Sequence, residues 1–387
     1  MSAVAVVSTR GARRWARGHA WIFRSDVVEP PAHDAGAVAV REQRGRQIGW
    51  ALWSPSSEIA LRLLDPDPVA RIDAGWWQRR IAAAVARRDG LDRVATAYRL
   101  VHGEGDGLPS LVVDRYDRWL VVQLLSAGVE AYRGEIVDAL GAITGAAGML
   151  ARNDASVRAR EGLERRVEPL TGTVPDHVEV DEHGVRYAAA PHSGQKTGAF
   201  LDQRENRVLV GTHARGRALD LFSYHGSFAL HLARRASAVT AVDSSAAALE
   251  RGRANAALNG YTNIAFVESD AFEFLRRARG DAPYDTIVVD PPAFAKNKPS
   301  LAGAIRGYRD LNLHAMRLLA PGGILFTASC SYHLGKAAFL EMVADAAAES
   351  GRRLALRAIT AQPADHPELV TLPETGYLKG ALLEAHD

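Results

Sequence analysis

The sequence has little of several residue types, and each shortage excludes a class of protein. Cys330 is the one cysteine among 387 residues, so neither an intrachain disulfide nor a cysteine-based metal cluster can form. No apolar run reaches the roughly 18 residues that a membrane-spanning helix needs. The start of the chain lacks basic residues, and its apolar run is too short for a signal peptide. We therefore expect a cytoplasmic protein.

The chain also has little net charge and few lysines. Its formal net charge is +2, which excludes a general attraction to polyanions. Nearly all of the positive charge is carried by arginine, because the only lysines are Lys196, Lys296, Lys298, Lys336 and Lys379. Arginine suits planar and phosphate groups, but a genome rich in G and C produces the same bias, and we favour that explanation.

The length and the composition are those of an ordinary globular protein with two or three domains. Residues 1–72 show short alternating segments separated by turn residues, at 37–41, 47–53 and 58–64, which predict a small β domain. Within it, residues 10–24 interleave five arginines with two tryptophans and a phenylalanine. That pairing can hold phosphates and stack on bases, so its candidates for RNA contact are Arg13, Arg14 and Arg17. The alternative is that the aromatic residues are core anchors and the arginines a solvated surface.

Residues 73–190 have a mixed pattern. Residues 75–88 and about 131–146 predict helices, and strand-like runs occur at 111–114, 119–125, 149–152, 178–180 and 185–190. The glycine-rich segment 103–109 precedes no helix with a phosphate-binding lysine, so it is a turn and not a P-loop. We expect a central α+β domain.

Residues 191–387 alternate strands and helices with short loops. The predicted strands are 218–222, 239–243, 264–270, 284–290, 323–330, 354–359 and 378–384. This pattern predicts an α/β fold with a doubly wound, Rossmann-like sheet of about seven strands. The strands at 284–290 and 323–330 flank a helix at 303–319 and form a βαβ unit, so they are parallel and end at the same edge. Asp290 and Cys330 should therefore face one crevice.

Acidic residues at or after the strand ends indicate a ligand. They are Asp220, Asp243, Asp270 and Asp290. Asp243, after the second strand, can accept hydrogen bonds from both ribose hydroxyls, and Asp270 from an adenine amino group. The first turn, 222–227, lacks the GxGxxG that a pyrophosphate needs, which disfavours an NAD-dependent oxidoreductase and favours S-adenosylmethionine. Further candidates for cofactor contact are Phe222, Tyr224, Gly226, Ser244 and Ala271.

Several strings carry a family resemblance over essentially the whole chain. Asp-Pro-Pro-Ala-Phe-Ala-Lys-Asn-Lys at 290–298 and Ser-Cys-Ser at 329–331 resemble signatures of bacterial 23S rRNA large-subunit methyltransferases with an N-terminal PUA domain, which make 5-methylcytidine. Residues 18–24, 59–64, 98–109, 194–204 and 378–380 are also similar to segments of that family. The resemblance implies that 1–72 is a PUA-like RNA-binding domain and 191–387 the methyltransferase domain. It also implies S-adenosylmethionine as cofactor, ribosomal RNA as partner, and Lys196 and Phe200 near the cofactor.

Cytosine C5 is a poor nucleophile until a thiolate adds to C6, which is chemistry that a cysteine serves well. Cys330 is the candidate nucleophile, although a free cysteine is more often a small buried hydrophobe. Asp290, in a turn made rigid by two prolines, can contact N3 or the exocyclic amine and supply a proton. The base must leave its stack to reach such a pocket. The candidates for contact with it are Pro291, Pro292, Phe294 and Lys296.

Two other functions stay open at this point. One is methylation of guanine or another base of rRNA, with Cys330 structural. The other is a non-catalytic assembly factor that binds S-adenosylmethionine and RNA. The sequence does not identify the nucleotide, does not distinguish naked rRNA from an assembling subunit, and leaves open the oligomeric state, for which a homodimer is one option.

Overall fold

The chain folds into two compact units. The computed structural model describes residues 3–280, 282–295 and 298–386. One unit runs up to Val180 and includes Ala189–Leu201 and Ala364–Thr375. The other comprises Asp181–Ala188, Asp202–Pro363 and the chain from Gly376. The predicted division at residues 72 and 190 stays a prediction.

The first sheet of the first unit has six strands in the order β2-β6-β5-β4-β1-β3. They are β1 (Val4–Val7), β2 (Trp21–Ile22), β3 (Val27–Glu29), β4 (Gly36–Glu42), β5 (Gln47–Trp53) and β6 (Leu61–Asp65). Helix α1 (Thr9–Ala16) begins after Ser8, whose hydroxyl accepts a hydrogen bond from the Gly11 N–H. Trp15 and Ile22 join the alternating apolar residues of β4 and β5 in the core of this sheet.

The second sheet of this unit has five strands in the order β11-β10-β9-β8-β7. They are β7 (Ala97–His102), β8 (Leu111–Tyr116), β9 (Trp119–Leu124), β10 (Gly148–Asn153) and β11 (Arg166–Gly172). The helices are α2 (Ala74–Ala86), α3 (Ala127–Glu130), α4 (Arg133–Thr144) and α5 (Val157–Arg160). Trp76, Trp77 and Leu140 pack with the apolar residues of β7, β8 and β9. A hairpin, β12 (Val178–Glu182) and β13 (Val185–Ala189), follows.

The second unit contains a seven-stranded sheet in the order β16-β15-β14-β17-β18-β20-β19, which confirms the predicted α/β fold. Its strands are β14 (Arg217–Leu221), β15 (Ala238–Asp243), β16 (Ile264–Glu268), β17 (Tyr284–Val289), β18 (Leu319–Ser329), β19 (Leu354–Thr360) and β20 (Lys379–Ala385). Its helices are α6 (Arg204–His213), α7 (Ser227–Ala233), α8 (Ala246–Leu258), α9 (Ala271–Arg277), α10 (Leu301–Arg317) and α11 (Lys336–Ser350).

The first five strands of this sheet are parallel, and β20 is antiparallel to both of its neighbours. From β14 the chain proceeds outward through β15 and β16, then returns to the other side of β14 to form β17 and β18. The direction therefore reverses between β14 and β17, which is where doubly wound sheets bind ligands. Two apolar clusters, one on α9, α10 and α11 and one on α7, pack against the strands.

Several described elements were not predicted from the sequence, among them α1, α3, α5 and α6 and the short strands β2 and β3. Residues 10–24 contain helix α1, which buries only Gly11 and Trp15 and so shows too few apolar positions to be recognised. Strands β1, β7 and β11 are also additional; β11 has a largely exposed surface, which removes the apolar run that identifies a strand. No helix in the described ranges is long and apolar enough to cross a membrane.

Candidate active site

The candidate site lies at the carboxyl ends of β15, β14, β17 and β18. The strand pairing sets the heights of the predicted acids: Asp220 pairs with Ala241 on one side and Val288 on the other. Asp243 and Asp290 therefore lie two residues further along their strands than Asp220. The sequence pattern suggested four acids in register at this edge, and that detail is wrong: Asp270 lies two residues beyond Glu268, the partner of Asp243, so the acids are staggered.

The first turn, after β14, contains two non-glycine residues in the left-handed region. Phe222 has φ +64° and Tyr224 has φ +50°, a conformation that costs free energy for residues other than glycine. The Asp243 carboxylate stabilises this turn, because Oδ2 accepts a hydrogen bond from the Tyr224 N–H at 2.8 Å. Its Oδ1 accepts from the Ser245 N–H at 2.9 Å. Each oxygen keeps a lone pair for a further donor.

Asp220 is the most buried of the four acids. Its Oδ2 accepts a hydrogen bond from the Ala229 N–H at 2.9 Å, and its Oδ1 has no hydrogen-bond partner among the described residues. Burial, together with the charges of Asp290 and Asp243, raises the pKa of Asp220 well above its usual range despite the Ala229 hydrogen bond. A cationic ligand group at this position would stabilise the ionised carboxylate.

Within the first turn, His225 and Gly226 have packing roles. The His225 ring stacks on Tyr187 at 5.4 Å, and burial lowers its pKa to about 3, so the imidazole is neutral. Gly226 has φ +82°, and a side-chain carbon there would lie 3.2 Å from the Phe266 ring. Glycine therefore meets both the steric and the conformational requirement of this position.

Asp270 and Ala271 begin α9. The Asp270 carboxylate caps the helix by accepting from the Glu273 N–H at 3.0 Å. Asp270 and Ser244 are exposed at the edge of the sheet, whereas Ala271 is buried. A role of Asp270 in cofactor contact stays a prediction beside its capping role.

Asp290 follows β17. Its carboxylate is oriented by Gln203, the residue before α6, and by Asn206 on α6. The Gln203 side-chain amide donates to Asp290 Oδ1 at 2.9 Å, and Asn206 donates to the Gln203 carbonyl oxygen at 2.6 Å. Gln203 and Asn206 are buried, so the position of the Asp290 carboxylate is well determined. Pro291 is buried and Pro292 is exposed as the chain leaves the sheet.

Cys330 is half-buried and directly follows β18. The hydroxyl of Tyr308, on α10, lies 2.8 Å from Ser331 Oγ and donates to the Pro292 carbonyl at 3.3 Å. Ser331 Oγ also accepts from the Ala295 N–H at 3.3 Å. These contacts join the loop after Asp290 to the segment that carries Cys330. Phe294 stacks on Tyr308 at 4.6 Å and so forms one side of that loop.

A buried cation lies beside the same segment. Lys379 is 3% exposed, and its Nζ donates to the carbonyl oxygens of Ser331 at 2.7 Å and Tyr377 at 2.8 Å. The ammonium group thus fixes the backbone immediately after Cys330.

The other predicted site residues lie elsewhere in the chain. Lys196 and Phe200 belong to the first unit, where the Lys196 ammonium lies 5.0 Å from the Phe200 ring centroid. Arg13 and Arg17 are exposed on and just after α1, and Arg14 is half-buried, 3.7 Å from Asp26 and over the Phe23 ring. Lys296 lies outside the described residues.

Sequence reasoning did not identify four residues that hold the candidate catalytic pair. They are Gln203, Tyr308, Ser331 and Lys379. One signal was present for Lys379, since a lysine at the start of the apolar run 378–383 is unusual in a strand with two covered faces. Gln203 and Tyr308 belong to helical segments and carry no local signal of their contacts.

The residues at this edge fit S-adenosylmethionine. The Asp220 Oδ1 without a partner, in an acidic surrounding, suits a ligand with positive charge. The Asp243 oxygens can accept from the two ribose hydroxyls, and the half-buried Phe222 supplies apolar surface.

Comparison with known proteins gives matches over nearly the whole chain. Residues 98–371 match the family of S-adenosylmethionine-dependent methyltransferases, and residues 6–66 match a PUA-like domain. Ribosomal RNA large subunit methyltransferase I of Klebsiella pneumoniae is 39% identical over 378 residues, which cover 94% of each chain. The Aeromonas salmonicida protein of that name is 40% identical over 380 residues, covering 95% of this chain and 96% of the relative.

Solved structures show the same fold. A SAM-dependent methyltransferase from Streptococcus mutans has a TM-score of 0.83 and 21% identity, covering 98% of this chain and 99% of that one. A methyltransferase complexed with SAH has a TM-score of 0.84 and 22% identity, with the same coverage. The protein therefore belongs to the S-adenosylmethionine-dependent methyltransferase family that includes the ribosomal RNA large subunit methyltransferases I, and S-adenosylmethionine is its cofactor.

Proposed function

We propose that the protein transfers a methyl group to C5 of a cytosine in 23S ribosomal RNA through a covalent Cys330 adduct. One observation carries the proposal: the only cysteine of the chain and the oriented carboxylate of Asp290 follow neighbouring parallel strands. Val289 pairs with Thr327, so Asp290 and Cys330 lie one and three residues beyond a common level. The names of the relatives support ribosomal RNA as the substrate class.

The cofactor residues supply binding and orientation. S-adenosylmethionine supplies the methyl group. Asp243 would hold the ribose, and Asp220 would face the positively charged end of the molecule. Phe222, Tyr224, Gly226 and Ser244 would contact it from the turns, and Asp270 and Ala271 would bind the adenine.

Cys330 and Asp290 divide the chemistry on the base. The Cys330 thiolate adds to C6, and protonated Asp290 gives its proton to N3, so the ring becomes an enamine with electron density at C5. C5 then forms its bond to the methyl group as the methyl–sulfur bond breaks, which leaves S-adenosylhomocysteine. Water takes the C5 proton, the thiolate departs from C6, and N3 returns its proton to Asp290, which restores the aromatic ring. The Gln203 amide positions Asp290 for this transfer.

RNA docking is assigned to two places. Pro291, Pro292 and Phe294 form the loop beside the base, with Lys296 next in the chain. Arg13 and Arg17, with Arg14 between them, present positive charge on the PUA-like domain. Because phosphate contacts make affinity depend on salt, the salt dependence of RNA binding tests this second assignment. A homodimer stays a prediction, which sedimentation of the purified protein would test.

The experiment for the reaction uses RNA with 5-fluorocytidine at the target position. Fluorine at C5 cannot leave as the proton does, so elimination stalls after methyl transfer and the protein stays attached to the RNA. We expect an adduct that requires S-adenosylmethionine and survives denaturing electrophoresis with the wild-type protein. Cys330→Ala should form none and should lose roughly 10³-fold or more of the methylation rate, as removal of a nucleophile does.

Cys330→Ser is the matched variant, because it keeps the size of the side chain and replaces only the sulfur. Retained S-adenosylmethionine binding in both variants shows that the site is intact. Methylation by Cys330→Ala at the wild-type rate would contradict the covalent route. Mass mapping of the methylated nucleotide then distinguishes cytosine from guanine or another base, and absence of turnover on any ribosomal RNA fragment would indicate a binding factor.

A further inference from the structure

Lys379 is a buried, charged residue next to the Cys330 segment, and the proposed reaction gives it no role. It is 3% exposed, although lysine is among the residues least often buried. It pairs with Ser329 in the antiparallel ladder between β20 and β18, one residue before Cys330. Its Nζ donates to the Ser331 carbonyl at 2.7 Å, one residue after Cys330. Lys379 therefore contacts both neighbours of Cys330: its backbone pairs with Ser329, and its ammonium group donates to the Ser331 carbonyl.

We propose that Lys379 is a positioning residue for Cys330, which holds the segment around the thiol and stabilises the thiolate by its positive charge. This inference rests on the proposed nucleophilic role of Cys330. An ammonium group in a low-dielectric setting favours a nearby negative charge, and cysteines beside lysine or arginine are reactive for that reason.

The fold holds the ammonium in place from two sides. Nζ also donates to the Tyr377 carbonyl at 2.8 Å, and the Tyr377 hydroxyl donates to Asp202 at 2.7 Å. At the next position, Gly380, a side-chain carbon would collide with the Thr360 hydroxyl and approach the Phe326 ring to 3.0 Å. Glycine there lets β20 lie close to its neighbours, which keeps the Lys379 backbone at its position beside Ser329.

Tyr308 is a second partner of Ser331, and its hydroxyl is uncharged. Its hydroxyl contacts Ser331 Oγ at 2.8 Å, whereas Lys379 contacts the Ser331 carbonyl. The side chain and the main chain of Ser331 are thus held by different partners. Of these two partners only Lys379 is a cation. Other ionisable groups toward Cys330 are Asp290, at the end of β17, and the Tyr308 hydroxyl, which disfavour a thiolate when ionised, so stabilisation of the thiolate is expected from Lys379.

The test is alkylation of the full-length native protein with iodoacetamide, in the absence of RNA and S-adenosylmethionine. Because Cys330 is the only cysteine, the alkylation rate reports that thiol alone. Lys379→Met keeps an unbranched apolar side chain and removes the charge. We expect its rate-against-pH profile to move toward higher pH, with about tenfold slower alkylation near neutral pH, the size of effect that one neighbouring charge produces. Lys336→Met, which removes an exposed lysine, should keep the wild-type profile.

An unchanged profile in a folded Lys379→Met protein would overturn the proposal. If that variant does not fold, Lys379→Arg, which keeps the charge, is compared with Lys379→Gln, which removes it: the Gln profile should lie at higher pH, and equal profiles would overturn the proposal as well. Alkylation uses no substrate, so its result is separate from the 5-fluorocytidine experiment. A shifted profile without an RNA adduct supports the role of Lys379 and contradicts the proposed cytosine chemistry.

Discussion

Buried acids are arranged in opposite ways in the core of the first unit and at the ligand edge of the second. In the first unit, Arg88 donates to both oxygens of Asp106 at 2.7 Å. Arg99 donates to both oxygens of Asp114 at 2.7 and 2.9 Å. At the ligand edge of the second unit, Asp220 and Asp243 accept only main-chain hydrogen bonds, and no ion pair to either occurs in the described part of the chain.

The pKa directions follow this difference. Burial alone would raise the pKa of Asp114, but the charge of Arg99 and its hydrogen bonds outweigh burial and hold the pKa below its usual range. For Asp220 burial outweighs the lowering effects of the Ala229 hydrogen bond and the Arg207 charge, and its pKa is raised. We infer that Asp114, which is paired with Arg99, stabilises the fold, and that Asp220, which has no ion-pair partner in the described part of the chain, binds a ligand. A buried acid whose pKa is strongly shifted is a typical feature of a functional site.

The largest effect that would test this comparison is on stability. Asp114→Asn leaves the buried Arg99 guanidinium without its carboxylate, which should lower the free energy of unfolding by about 3–5 kcal/mol. The affinity of the folded variant for S-adenosylmethionine should stay at the wild-type value. Urea unfolding and calorimetry measure the two quantities, and Asp117→Asn, an exposed position nearby, is the control.

The pH dependence of Asp114 has a definite sign. Its native pKa lies below the usual value, so its contribution is present above the usual pKa of an aspartate and is lost as pH falls through the lowered pKa. Asp114→Asn should therefore lose less stability than wild type on acidification. Equal acid sensitivity of the two proteins would contradict the structural role.

The second effect is on cofactor binding. Asp220→Asn removes a carboxylate from the ligand edge and should weaken S-adenosylmethionine binding by about 1.5–3 kcal/mol, roughly 10- to 150-fold. Its stability should change in the direction opposite to that of Asp114→Asn. A raised native pKa gives a contribution that is lost as pH rises through it, so wild type should lose stability above the usual aspartate range and the variant should not.

Calorimetry and urea unfolding at several pH values check both expectations. Asp243→Ala is the matched comparison, because it removes acceptors for the ribose hydroxyls from a half-buried position and should weaken binding by a similar amount. Unchanged affinity in both variants would show that the cofactor lies elsewhere along the edge.

The smallest expected effect concerns exposed charges. They extend the comparison to groups that neither stabilise the fold nor bind the cofactor. Removing Arg13 and Arg17 together should change the free energy of unfolding by no more than about 0.5 kcal/mol. For single-stranded RNA, the salt slope of affinity should fall by about 0.7 for each phosphate that the variant no longer neutralises. The control removes Arg41 and Arg44, two exposed arginines of the same domain. Equal salt slopes in the two double variants would refute the docking assignment.

Local patterns in the sequence were sufficient for the strands of the sheet in the second unit. Apolar runs with turn residues at their ends predicted all seven strands, and the rule that a βαβ connection gives parallel strands placed Asp290 and Cys330 at one edge. The small helix α1 and the exposed strand β11 were missed because elements with few buried residues have little periodicity.

The amino-acid sequence by itself determined the fold class and the kind of cofactor and suggested the candidate catalytic pair, because each follows from local patterns of strands, helices and short motifs along the chain. Only the tertiary structure decided how that pair is held. Gln203 reaches Asp290 across 87 positions, and Lys379 reaches the carbonyl of Ser331 across 48. Such contacts depend on strand register and helix placement, which sum many weak interactions over the whole domain and leave no local pattern at either residue.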